Sequence, residues 1–192
     1  MIDKFINRKN EMKVLEERFN SDKPEFIVIY GRRRVGKTEL IKNFSKNKPH
    51  VYFLSDRRSD REQLNEISRK IGEFFNDGFL VNRGFENWIQ MFEYLKNKIE
   101  KRIVITLDEF PFLIMSNKSI PSIFQKGWDE YLKDKNILLI LCGSSMGMME
   151  RGVLSYKSPL YGRRTGQLLI NPLNFFDSKE FFPKYDKEEK IK

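Results

Sequence analysis

The string G-R-R-R-V-G-K-T, Gly31 to Thr38, has the residue types and spacing of a phosphate-binding loop, G-x-x-x-x-G-K-[ST]. Its glycines let the backbone curl so that successive N–H groups point inward, and a following helix would add partial positive charge at its N-terminus. Lys37 is long enough to reach β- and γ-phosphate oxygens, and the Thr38 hydroxyl suits Mg2+. The context fits, because an apolar run from Phe26 to Tyr30 precedes the loop and Glu39 to Phe44 reads as helix. Gly31, Arg34, Val35, Gly36, Lys37, Thr38 and Glu39 are therefore the candidate nucleotide contacts. Arg32, Arg33 and Arg34 face either the nucleotide, another protein or solvent.

Three further strings carry chemistry. In R-I-V-I-T-L-D-E-F an apolar strand ends in Asp108 and Glu109, which is where an open parallel sheet places a ligand site. Asp108 would hold Mg2+, directly or through water, and Glu109 would orient and deprotonate the water that attacks phosphorus. In N-I-L-L-I-L-C-G-S-S a second apolar strand runs into Ser144 and Ser145, either of which could report the γ-phosphate through a hydrogen bond. In S-P-L-Y-G-R-R-T-G, Arg163 and Arg164 could neutralise charge developing on that phosphate, in their own chain or in a neighbour. One histidine and one cysteine make a His/Cys metal site impossible, and no G-x-S-x-G elbow is present. A guanine-reading N-K-x-D is also missing, since the nearest string is N-K-S-I at Asn117 to Ile120.

These residues need a scaffold. Five β-rich runs, Phe26 to Tyr30, His50 to Leu54, Arg102 to Leu107, Asn136 to Cys142 and Gln167 to Ile170, alternate with helical patterns. That alternation predicts βαβ units, and runs as continuously apolar as I-L-L-I-L predict strands buried on both faces of a parallel sheet. Helical stripes recur at Met12, Leu15 and Phe19 after Asn7, and at Leu64, Ile67, Ile71 and Phe74 after Ser59. Trp88, Met91, Leu95 and Ile99 form a third, and Ile123, Phe124, Trp128 and Leu132 a fourth that Ser119 opens with Pro121 in its first turn.

The chain has 192 residues, of which 40% are apolar and 14% aromatic, and it contains no alanine. This length suits one globular domain able to bury about 70% of its unfolded surface. No apolar run approaches the roughly 20 residues that span a bilayer, and nothing at the N-terminus reads as a signal peptide. A lone cysteine excludes an intrachain disulfide framework and fits a reducing compartment, so the expected location is cytoplasmic. With 36 Lys and Arg against 27 Asp and Glu, the formal charge is +9, spread along the chain rather than gathered in a basic tract.

In this succession the sequence resembles the archaeal-type ATPase family, a branch of the P-loop NTPases related to AAA+ and STAND proteins. F-I-N-R-K-N-E-M at the start is similar to the family's N-terminal box, L-D-E-F-P to its Walker B ending, and the serine and arginine strings to its sensor strand and arginine box. The resemblance implies an α/β three-layer αβα sandwich with a five-stranded parallel sheet ordered 5-1-4-3-2. It also implies that Phe5, Ile6 and Arg8 lie against the adenine. Lys9 stands where the family commonly has an acidic residue. The expected organisation is an ATPase core over residues 1–183 and a charged tail over 184–192, where the family's helical lid would begin.

The function expected on these grounds is an Mg2+-dependent ATP-binding core that hydrolyses ATP slowly and couples its nucleotide state to partner domains. Other classes stay open: a nucleotide-gated module holding DNA through its positive charge, a small-molecule phosphotransferase, or an ATP-binding regulator without turnover. The partner, DNA or protein, is not legible.

Overall fold

The structure, a computed structural model, describes residues 8–173. Five strands, β1 (Glu25–Tyr30), β2 (His50–Leu54), β3 (Ile103–Asp108), β4 (Ile137–Gly143) and β5 (Gly166–Leu169), form one sheet in the order β2-β3-β4-β1-β5. Every pairing is parallel, so the order is the expected 5-1-4-3-2 and each strand ends at the same edge.

Alternation along the strands divides the core into two layers. In β4, Ile137, Leu139 and Leu141 face one side while Leu138, Ile140 and Cys142 face the other. The second side is covered by α1 (Lys9–Phe19) and α2 (Lys37–Ser45), through Leu15, Leu40, Ile41 and Phe44. The first side is covered by α3 (Asp60–Phe74), α4 (Gly78–Arg83), α5 (Trp88–Lys98), α6 (Pro111–Ser116), α7 (Ile120–Gly127) and α8 (Met146–Met149). α7 and α8 each continue into a π-helical turn, over Trp128–Leu132 and Glu150–Leu154. This is the three-layer αβα sandwich.

Local chemistry explains the helix starts. Ser59 accepts the Glu62 N–H while the Glu62 carboxylate accepts the Ser59 N–H, a reciprocal capping box that opens α3. Asn87 and Asp77 cap α5 and α4 in the simpler way. Ser119 does not cap α7, contrary to expectation: its backbone is already helical, its side chain makes no cap bond, and its N–H donates to Asn117 Oδ1. Before α1 stands Arg8, at φ 64°; Asn7 lies outside the described residues, as do Phe5, Ile6 and the tail over 184–192.

An aromatic knot holds the larger layer to the site. Phe124 is 1% exposed and its ring centroid lies 5.7 Å from Trp88, 5.0 Å from Phe92 and 5.1 Å from Phe110, the residue that follows Glu109. Phe124→Ala should therefore cost about 3–5 kcal/mol of stability, whereas Ser59→Ala should cost about 1 kcal/mol through its lost cap. Denaturant unfolding of the two variants measures both.

Candidate functional site

Phosphate-loop geometry begins with backbone conformation. Gly31 has φ 155°, and a Cβ there would stand 2.3 Å from the Ile170 carbonyl oxygen, so the loop can pass beside β5 only without a side chain. Gly36, at φ 88°, precedes α2 and turns the chain into the helix. Arg34 and Glu109 are also left-handed, at φ 62° and 51°, as is Arg8. Lys37 opens α2, is 6% exposed, and donates from Nζ to the carbonyls of Gly31 and Arg32 at 2.9 and 2.8 Å. Glu39 is exposed and accepts from Asn43. Arg32, Arg33 and Arg34 are exposed as well.

Arg8 fastens this loop from outside. Its buried guanidinium donates to Glu11 at 3.0 Å, to the Val35 carbonyl at 2.9 Å and to the Asn171 carbonyl at 2.6 Å. The N-terminal box, the loop and the segment after β5 thus meet on one planar cation, whose several donors suit three directions at once.

Asp108 ends β3 and is 1% exposed. Its Oδ2 accepts from Thr38 Oγ1 and from Tyr52 Oη, each at 2.7 Å, and its Oδ1 accepts from the Glu109 N–H at 2.8 Å. Burial and the neighbouring carboxylate push the Tyr52 phenol far above its ordinary range, so it remains a donor. Cys142, on the adjoining β4, has its thiol pushed up by burial first and by the Asp108 charge second. Glu109 is half-buried; its Oε2 accepts from Ser144 Oγ at 2.8 Å and from the Ser144 N–H at 3.3 Å. Arg33 Nε approaches Ser144 Oγ at 3.5 Å. Ser145 contributes its carbonyl to the first turn of α8, accepting from Met148 and Met149.

The structure thus gathers Lys37, Thr38, Asp108, Glu109 and Ser144 at the C-terminal edge. It does not bring Arg163 and Arg164 there. Thr165 N–H donates to the Phe26 carbonyl and Gly166 registers against Ile27, so both arginines precede β5 at the N-terminal edge. The loop follows Tyr30, on the order of 15 Å further along β1. Arg163 pairs with Asp129 at 3.0 Å, and Arg164 donates to the Val153 and Leu154 carbonyls. A role for either on the chain's own γ-phosphate is corrected by this placement. Tyr52 is the residue that sequence reading missed.

The donor set suits Mg2+, a hard cation that prefers oxygen and keeps several waters. Thr38 and Asp108 supply oxygens from α2 and β3, and no cluster of three or more His, Cys, Asp or Glu able to hold a metal occurs among the described residues. No described helix is long and apolar enough to cross a membrane.

A parallel αβα sheet with this loop after β1 defines a P-loop NTPase fold. The chain belongs to the family described as an ATPase domain predominantly from Archaea, which matches residues 5–192. A protein of Methanocaldococcus jannaschii is 43% identical over 187 residues, covering 97% of this chain and 40% of its own length. A shorter ATP-binding protein of the same organism is 57% identical over 44 residues, which are 23% of this chain and 75% of that protein. Among solved structures, a Walker-type ATPase of Pyrococcus abyssi superposes with TM-score 0.69 at 23% identity, covering 94% of this chain and 57% of that one. The Aeropyrum pernix ORC2 protein in its ADP form gives TM-score 0.62 at 14% identity, covering 95% of this chain and 54% of that one. The chain spans 40% of the length of the 43%-identical relative and little more than half of either structure.

The raised Cys142 pKa has two measurable consequences. A buried, protonated thiol should resist a water-soluble disulfide reagent until the chain unfolds. An unfolded chain releases that proton above 9.0, the ordinary value, while the folded chain keeps it. The stability present below that pH should therefore fall as pH rises through and beyond it, as denaturant midpoints measured from pH 8 to 10 will register.

Proposed function

We propose that this domain binds Mg-ATP at the C-terminal edge of its sheet, hydrolyses it slowly and couples its nucleotide state to partner domains, DNA or protein. The observation that carries the reading is the convergence there of Lys37, the Thr38–Asp108 pair and the Glu109–Ser144 pair. In this reading the site is of the AAA+ and STAND kind.

Lys37 exchanges its bonds to the Gly31 and Arg32 carbonyls for β- and γ-phosphate oxygens, a trade of neutral acceptors for charged ones. N–H groups at the start of α2 face the same anion. Thr38 and Asp108 would hold Mg2+, which when bound neutralises charge on the phosphate oxygens. Phe5, Ile6 and Arg8 frame the base in this proposal, with Arg8 also fixing the loop through Val35.

Glu109 acts on water. As the water oxygen bonds to the γ-phosphorus, the bond to the β–γ bridging oxygen breaks, a water proton passes to the Glu109 carboxylate, and ADP and phosphate leave. Ser144 regulates that base. A hydroxyl carries one hydrogen, so the Ser144 Oγ that donates to Glu109 cannot donate to a γ-phosphate at the same time. Arrival of the phosphate draws the hydrogen away and leaves that Glu109 oxygen free to accept from the attacking water. Ser145 is the second candidate for this role. Arg163 and Arg164 take no part in the chain's own site.

Phosphate release and nucleotide binding test this reading together. Lys37→Ala should lose most Mg-ATP affinity. Glu109→Gln should keep that affinity and lose turnover by on the order of 10²–10⁴-fold, and turnover at the wild-type rate contradicts the assignment.

A further inference from the structure

Tyr52 lies on β2, the edge strand beside β3, and registers against Thr106 while Leu54 registers against Asp108. Residues two apart on a strand share a face, so Tyr52 and Asp108 are diagonal neighbours, a separation that a long phenol can cross. It does so: Tyr52 Oη donates to Asp108 Oδ2 at 2.7 Å, on the same oxygen and at the same distance as Thr38 Oγ1. With Glu109 N–H on Oδ1, the nucleotide loop's helix, the neighbouring strand and the following residue each hold the carboxylate, and the buried Cys142 thiol of β4 lies against it as well.

These grips differ in kind. Glu109 N–H is backbone and fixed by the turn. Thr38 belongs to the loop and to the proposed cation, so its hydroxyl answers to the ligand. Tyr52 belongs to neither: its strand is paired along its whole length with β3 and its ring is half-buried beneath Lys42, whose Nζ lies 5.7 Å from the ring centroid. A carboxylate oxygen offers about two lone-pair directions, and here both are used by hydroxyls. Rotation of the carboxylate about its terminal bond, which is otherwise broad and roughly two-fold, breaks the Tyr52 bond.

We propose that Tyr52 is the positioning residue for the cation-holding carboxylate, keeping Asp108 at one orientation whether or not Thr38 is engaged by a divalent cation. It touches neither nucleotide nor cation. Its action is that of an outer partner that orients a ligand, a role in which removal of the bond commonly costs 10- to 100-fold in metal affinity. The proposal rests on the Mg-ATP reading above, and Tyr52 sets how tightly the cation, rather than the nucleotide, is held.

Tyr52→Phe removes the hydroxyl and keeps the ring under Lys42. Mn2+, followed by electron paramagnetic resonance during titration of the full chain with ATP present, reports the cation directly without turnover. A parallel ATP titration in EDTA reports the nucleotide alone. The expected result is about tenfold weaker Mn2+ binding in Tyr52→Phe with unchanged ATP affinity in EDTA. Mn2+ affinity equal to wild type overturns the proposal, as does a matching loss of ATP affinity in EDTA, which marks general damage to the site. Wild-type protein that binds no Mn2+ with ATP present contradicts the Mg-ATP reading itself, so the two failures are separable. Tyr52→Leu, which removes the ring as well, should weaken Mn2+ binding at least as much as Tyr52→Phe; wild-type affinity in that variant also overturns the proposal.

Discussion

A carboxylate that is 1% exposed at the end of a wholly buried strand sets the terms for this site. An ionised group taken out of water costs several kcal/mol unless donors meet it, and β3 supplies only the Glu109 N–H. Further donors arrive from the neighbours, Thr38 at the start of α2 and Tyr52 on β2, with the Cys142 thiol of β4 beside them. Asp108 therefore ties β3 to α2 and β2, two consecutive elements far earlier in the sequence, and the same donors that make its burial tolerable aim it at the loop. The cost of the charge is offset by the arrangement that makes it useful.

Strand order extends the link. β4 lies between β3 and β1, so the serine that follows β4 is placed between the Glu109 turn and the phosphate loop. Ser144 bonds Glu109 and faces Arg33 of the loop for that reason. Phe110 then carries the turn into the aromatic knot around Phe124. A change at the loop thus meets a chain of hydrogen bonds first and rigid packing second, an arrangement suited to moving a side chain without loosening the fold.

Much of this was legible in the sequence. Strand starts and ends fall within a residue of the apolar runs; burial on both faces demands that unbroken hydrophobicity in β1, β3 and β4, whereas the edge strands β2 and β5 are partly exposed, contrary to expectation. The long helices announced themselves through stripes such as Leu64, Ile67 and Ile71. α4, α6 and α8 did not, being too short to establish a period. The sheet order came from family resemblance, since pairing between parallel strands leaves no mark in spacing. The sequence left open whether Arg163 and Arg164 act in their own chain or in a neighbour, although residues that precede a parallel strand lie opposite the edge where the loop after β1 sits. Tyr52 gave no signal, because a diagonal contact across two strands distant in sequence has no local pattern.

The account turns on Asp108 answering to a cation delivered with the nucleotide. Calorimetric titration of ATP into wild-type protein and Asp108→Asn, each in Mg2+ and in EDTA, tests this directly. The account predicts that Mg2+ strengthens ATP binding to the wild type and that this gain is lost in Asp108→Asn, while affinity in EDTA is not reduced. An equal Mg2+ gain in both proteins would contradict it.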